Sequence, residues 1–252
     1  MQASAPSPAI TRSLEDYLEC IYRIQARESV ARVGDIAGDL GVSPASVTPA
    51  MRRLSGMGLL RYSKRRYVEL TPEGEAAARK TLVRHRLLTR FLQEILGMEP
   101  GAAGRDACAL EHDLSDEALR GLADLFETTA ACPVFPDLVR GRPDAGGRNM
   151  DVPRGCPLLA SADEPASPGM EALSELPPGS RGVVARLEGD ADCRSGLIDL
   201  GLIQGAEVTL RRPGGGVLPC IVGLDGHDLE IDEPLAACVM VLPLPVPGDG
   251  SA

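Results

Sequence analysis

The sequence predicts a mainly helical N-terminal half that opens with a winged helix-turn-helix, followed by a small all-β barrel. Three observations predict it. Apolar residues recur at helical spacing through the first half of the chain. Two alternating runs, LLRYS and YVELT, flank a basic turn directly after the third helix. Beyond about residue 170 the pattern changes to short alternating runs separated by Gly and Pro.

The elements follow in order. Leu14, Tyr17, Leu18 and Ile21 form one apolar stripe, so residues 13–27 read as a helix. Residues 33–40 are a short helical run closed by Gly41. Ser43 is placed to cap the next helix, with Pro44 at its first position. That helix runs to about Ser55, where Gly56 and Gly58 end it. Helix, short turn and helix at this spacing make a helix-turn-helix unit, and the hairpin with Lys64, Arg65 and Arg66 at its tip supplies the wing. Thr71 starts a long helix that carries Leu88, Phe91, Leu92 and Ile95 on one face and stops at Gly97. Residues 103–113 and 116–128 read as two more helices, the second capped by Ser115. Residues 133–169 are rich in Pro, Gly, Asp and Arg without periodicity and read as a linker. The runs RGVVARLE, AEVTLRR, PCIVGLD, HDLEID and CVMVLPL then read as strands, with SGLIDLGL as a short helix among them. The expected divisions are 1–71, 72–132, 133–169 and 170–245.

Composition narrows the function. Tryptophan is absent and aromatics are 3%, so aliphatic side chains must build the cores. No run of ~18 apolar residues predicts a membrane span, and MQASAPSPAITRS lacks a basic segment followed by an apolar one. Seven scattered cysteines without a CxxC suit a reducing cytoplasm better than a disulfide framework. The net charge of −10 hides an asymmetry. Residues 1–84 carry thirteen Lys+Arg against nine Asp+Glu, whereas residues 85–252 carry thirteen against twenty-seven. The basic balance coincides with the winged helix.

Two constellations carry chemistry. In a helix-turn-helix the second helix enters the major groove N-terminus first. Here that places Ser43, Ala45, Ser46, Thr48 and Pro49 at base edges, with Arg52 and Arg53 a turn later. Those arginines and Lys64, Arg65 and Arg66 can neutralise phosphates. A solvated basic face on an ordinary helical domain is the plainer alternative. Pro49 is discordant, because proline inside a helix removes a backbone hydrogen bond.

The second constellation is CALEHDLSDEAL. Cys108, Glu111 and His112 fall on one helical face at i, i+3 and i+4. Thiolate, carboxylate and imidazole together suit a first-row divalent metal. Asp16 and Glu19 offer hard oxygens at i, i+3 on the first helix, and His85 sits toward the apolar side of the long helix. Each has a plainer reading: a solvated acidic edge, a satisfied core histidine, or a small buried thiol. A Cys/His pair at i, i+4 without an orienting group is a poor acyl-transfer site, and HExxH is absent.

The segments SLEDYLECIYRI, RVGDIAGDLGVSPASVTPAMRRL, GLLRYSKRRYVELTPEG, RHRLLTRFLQEILGM and ACALEHDLSDEAL resemble the diphtheria toxin repressor/manganese transport regulator family over residues 12–135. The later segments LSELPPG and LIDLGLIQGAEV resemble the SH3-like barrel called FeoA-like, which is often fused to such repressors. The resemblance implies a homodimer that binds operator DNA when loaded with metal, with residues 72–132 forming its metal-binding and dimerisation domain. It implies metal ligands at Asp16, Glu19, His85, Cys108, Glu111 and His112. Asp16 and Glu19 match the manganese branch and Cys108 the iron branch. Thr89 replaces a usual glutamate ligand, Gly104 a usual iron-branch histidine, and Pro49 a usual polar DNA-facing residue. The implied cofactor is Fe(II) or Mn(II), with Cys108 tipping the balance to iron, and the implied targets are metal-uptake genes. A metalloenzyme built on the Cys/Glu/His cluster and an interaction protein built on the barrel are the readings from other classes.

Overall fold

The computed structural model describes residues 10–28, 30–62, 67–130, 169–215 and 218–245. They fall into two units, residues 1–82 and 83–252. Among the described residues, no helix is long and apolar enough to cross a membrane. The expected linker, save Gly169, lies outside the described residues, as does the wing tip with Lys64, Arg65 and Arg66.

In the first unit, α1 (Arg12–Arg27) buries Leu14, Tyr17, Leu18, Ile21 and Ile24, the stripe its spacing predicts. α2 (Val33–Asp39) is opened by Asp35, whose carboxylate accepts from the Arg32 backbone N–H at 3.2 Å. The chain then reverses through Gly41, whose φ of +64° lies in the left-handed region that favours glycine. Ser43 caps α3 (Pro44–Gly56), its Oγ accepting from the Ser46 N–H at 3.2 Å. Strands β2 (Leu60–Tyr62) and β3 (Tyr67–Leu70) pair antiparallel, Leu60 opposite Leu70. A third strand was not expected. β1 (Ala31–Arg32) pairs with β3, and its two residues are too few to show alternation. Ile21, Ile36, Val47, Met51, Leu54 and Val68 meet in one aliphatic core.

Helix α4 (Pro72–Arg90) starts in the first unit. Thr71 Oγ1 accepts from the Gly74 N–H at 3.1 Å and donates to the Gly58 carbonyl at 2.7 Å, fixing the helix start to the strand entry. Gly74 is required there, because a Cβ would stand 1.8 Å from the Leu59 carbonyl oxygen.

The second unit begins within α4. A π-helical turn, Phe91–Ile95, follows it, and Gly97 ends the segment at φ +68°. α5 (Pro100–Leu110) starts three residues earlier than expected, with Pro100 in the first-turn position it tolerates. It also stops earlier. Glu111–Asp113 form a 3₁₀ turn instead of continuing the α-helix to 113. The cause lies downstream. Leu114 is extended and Ser115 caps α6 (Asp116–Ala130), its Oγ accepting from the Ala118 N–H at 3.1 Å, so the chain leaves α5 through a tightened last turn.

The barrel holds β4 (Glu171–Ala172), β5 (Arg181–Leu187), β6 (Glu207–Arg212), β7 (Cys220–Leu224), β8 (His227–Ile231) and β9 (Val239–Pro243), in sheet order β4-β9-β5-β6-β7-β8. Helix α7 (Ala191–Asp199) is capped by Asp190, whose carboxylate accepts from the Cys193 N–H at 2.8 Å. A short helix, α8 (Glu233–Ala237), precedes β9 and was not expected.

This barrel packs on the helices of its own unit. Leu87, Leu119 and Phe126 share one core with Leu173, Leu197, Ile198, Val208 and Leu210. Each large apolar side chain so buried contributes about 1.5–3 kcal/mol. Polar ties rim that core. Arg194 of α7 binds Asp124 at 2.6 Å and Glu127 at 2.8 Å on α6. Arg86 binds Asp225 at 2.6 Å, and Arg90 donates to the Gln204 carbonyl at 2.8 Å while lying 4.0 Å from the Phe126 ring centre.

Candidate metal centre and nucleic-acid interface

Helix α3 divides its residues cleanly. Val47, Ala50, Met51 and Leu54 are buried. Ser43, Ala45, Ser46, Pro49, Arg52 and Arg53 are exposed on the other side, and Thr48 is half-buried. The Ser43 and Ser46 hydroxyls lie 2.9 Å apart, and Thr48 Oγ1 donates back to the Pro44 carbonyl at 3.3 Å. Pro49 stands inside the helix without ending it. It cannot donate to the Ala45 carbonyl, but Ala45 is exposed, so water can satisfy that oxygen. Beside this helix, the Arg32 guanidinium lies 5.8 Å from the Tyr67 ring centre at the base of the wing.

The second unit assembles the other cluster around Glu111. Its side chain is completely buried. Oε2 takes a 2.7 Å hydrogen bond from His85 Nδ1, 26 positions earlier on α4. An ionised carboxylate only accepts, so Nδ1 is the donor, and in a neutral imidazole with that tautomer Nε2 is the nitrogen that offers a lone pair. Oε1 has no hydrogen-bond partner among the described residues and lies 3.6 Å from His112 Nε2, whose side chain is 6% exposed. Cys108 is exposed, and its Sγ lies within 4.8 Å of a Glu111 carboxylate oxygen. Cys108 lies in the last turn of α5, three positions before Glu111, so the two share one side of the helix end.

These donors fit a divalent ion. A buried carboxylate with one unsatisfied oxygen, two imidazoles and a thiol is a mixed hard and borderline set. Taking that carboxylate out of water costs several kcal/mol unless it is paired.

Asp16 and Glu19 belong to the first unit, one turn apart on α1. Glu19 is buried, with Arg23 Nε 3.8 Å from its Oε1, and Asp16 is half-buried. The neighbouring thiol differs from Cys108 in kind. Burial, followed by a hydrogen bond to Asp39, pushes Cys20 up to about 12. It stays a neutral thiol in the core.

His85 also lines a cavity of about 680 Å³ with Arg86, Thr89, Arg90, Gln204 and Arg211. Thr89 Oγ1 is buried without a hydrogen-bond partner among the described residues. At Gly104 an added Cβ would meet nothing within 4 Å. The barrel contacts of α6 were missed in the sequence. The one signal for them was the i, i+3 acidic pair Asp124 and Glu127, opposite a barrel helix bearing Arg194.

Comparison with known proteins bears on all three segments. The family described as "Iron dependent repressor, N-terminal DNA binding domain" matches residues 9–68. "Iron dependent repressor, metal binding and dimerisation domain" matches residues 71–134, and "FeoA domain" matches residues 171–243. The diphtheria toxin repressor of Corynebacterium glutamicum is 30% identical over 237 residues, covering 90% of this chain and 94% of that protein. The iron-dependent repressor IdeR of Mycobacterium bovis is 30% identical over 83% of this chain and 88% of its own length. The transcriptional regulator MntR of Lysinibacillus sphaericus is 38% identical over 52% of this chain and 91% of its own length. Its relatives are transcriptional repressors, which removes the metalloenzyme reading, and the chain belongs to the diphtheria toxin repressor family of metal-dependent transcriptional repressors.

Proposed function

We propose that this chain is a cytoplasmic homodimer that binds double-stranded operator DNA in its Fe(II)- or Mn(II)-loaded form and represses genes of metal homeostasis. The observation that carries this reading is the buried Glu111 carboxylate, with one oxygen bound to His85 and the other facing His112 without a hydrogen bond. A cation is the partner that oxygen lacks.

In this reading Glu111 and His112 hold the ion from the end of α5, and Cys108 adds a thiolate. His85 presents Nε2 because Glu111 orients its ring through Nδ1. Asp16 and Glu19 of α1 complete the set, as the family resemblance implies. A bound divalent ion supplies the positive charge that makes these carboxylates cohere instead of repel. Cys108 favours iron, since a thiolate suits Fe(II) better than Mn(II); the matched relatives include both an iron-dependent repressor and a MntR.

The exposed side of α3 is the base-reading surface: Ser43, Ala45, Ser46, Thr48 and Pro49 meet base edges, while Arg52 and Arg53 meet phosphates. Lys64, Arg65 and Arg66 extend the phosphate contacts from the wing. Two such helices in a dimer read half-sites about one helical turn (~34 Å) apart or a multiple of it.

The test uses operator DNA selected by the Fe(II)-loaded protein from a random-sequence pool. Anaerobic Fe(II) titrations of wild type and Glu111→Gln are followed by anisotropy of that DNA. Glu111→Gln should need at least ~10-fold more metal for half-maximal binding. An unchanged metal requirement removes Glu111 from the ligand set.

A further inference from the structure

A second pair of reactive groups lies in the barrel. Glu188 donates its N–H to the Cys238 carbonyl at 2.7 Å, and Leu187 stands opposite Val239, so the end of β5 lies against the α8–β9 junction. The chain turns there at Gly189, with φ +98°. A Cβ on Gly189 would stand 2.9 Å from Cys193 Sγ and 3.5 Å from Cys238 Sγ. Both sulfurs thus converge on the one position without a side chain, Cys193 Sγ donating to the Glu188 carbonyl at 3.8 Å and Cys238 Sγ to the Pro234 carbonyl at 3.3 Å. Both cysteines are half-buried, so a small oxidant can reach them. Cys220 differs: it is fully buried and its Sγ accepts the Gly214 N–H at 3.1 Å.

We propose that Cys193 and Cys238 form a dithiol that hydrogen peroxide oxidises to a disulfide, stapling the first turn of α7 to the end of α8. One thiol gives up its proton and the thiolate attacks a peroxide oxygen; the O–O bond breaks, the hydroxide that leaves takes up that proton as water, and a sulfenic acid remains. The second sulfur attacks that sulfur; the S–S bond forms, the S–O bond breaks, and a second water leaves. Two thiols lose two electrons and one peroxide becomes two waters. Burial, then the neighbouring Cys238 and the Asp190 carboxylate, raise the Cys193 thiol, so oxidation accelerates as pH rises above neutrality. The next residue is Arg194, which holds Asp124 and Glu127 of α6. Oxidation therefore acts on the turn that carries the barrel's ionic tie to the helices. This inference does not depend on the metal ligands.

The experiment treats the full chain with hydrogen peroxide in chelator, blocks remaining thiols with iodoacetamide, and digests with an Asp-specific protease without reduction. That digest separates Cys220 from Cys238. The expected result is a Cys193–Cys238 linked peptide, loss of both of those thiols to alkylation, and reversal of the link by dithiothreitol. In Cys238→Ser the linked peptide should vanish, and Cys193 should be trapped by dimedone as a sulfenic acid. Disulfides in other pairings, or Cys193 and Cys238 still fully alkylated at a peroxide dose that oxidises the exposed Cys108, overturn the proposal. The wild-type peptide map decides the matter even where the variant does not fold.

Discussion

Glu111 shows what one residue can and cannot reveal. Its spacing from Cys108 and His112 is legible in CALEHDL, because i, i+3 and i+4 share a helical face. Its complete burial and its bond to His85 are not, because they join residues 26 apart through tertiary packing. Cys108 is legible as a soft donor, and its role can be tested alone. Cys108→Glu exchanges a thiolate for a carboxylate, so Mn(II) should gain on Fe(II) in half-maximal activation of DNA binding. An unchanged ranking in paired anaerobic titrations would show that Cys108 does not select the metal. Glu127 is a residue whose chemistry the sequence hides. Burial raises its carboxyl to about 7 despite Arg194, which pulls the other way. The folded state therefore keeps a proton that the unfolded chain releases near the ordinary carboxylate range. The stability this contributes is fully present below about pH 4.5 and is lost as pH rises through about 7. Thermal melts between those values should show wild type losing more stability with rising pH than Glu127→Gln; parallel slopes would contradict this.

At the scale of elements, local rules wrote most of the fold. Ser43 with Pro44, Ser115 with its acidic first turn, and the glycines at 41 and 97 placed helix ends within a few residues. What was missed was short. β1 has two residues and α8 five, so neither repeats its side-chain period even twice and no pattern can build up. The α5 ending was misread because the need for an extended Leu114 before the Ser115 cap overrode a helical pattern that continued on paper. Two substitutions test this layer. Ser43→Ala removes the α3 cap and should cost about 1 kcal/mol in a denaturant melt. Gly74→Ala forces a Cβ against the Leu59 carbonyl and should cost more, at least ~1–3 kcal/mol, although alanine is the better helix former. Gly74→Ala at or above wild-type stability would mean that α4 does not start against that carbonyl.

Across the whole molecule, the charge asymmetry was the most useful sequence signal, because a net acidic chain otherwise argues against a DNA partner. The barrel's packing was the least legible feature. Residues 116–128 read as a helix, but that does not name what its apolar side meets, and Leu119 and Phe126 meet the barrel. Affinity of the metal-loaded protein for operator DNA should fall steeply with salt, with a slope in log K against log salt of about −0.9 per phosphate neutralised. Arg52→Ala should make that slope shallower by about one; an unaltered slope removes Arg52 from the phosphate contacts.

Metal held at Glu111 should license DNA binding, and an operator titration reads that coupling. Protein is added to selected operator DNA anaerobically with Fe(II), with Mn(II), and with chelator alone. Binding should be tight with either ion, at lower Fe(II) than Mn(II), and at least ~100-fold weaker in chelator, the ratio that ~2.7 kcal/mol of coupling gives. Equal affinity with metal and with chelator would contradict it.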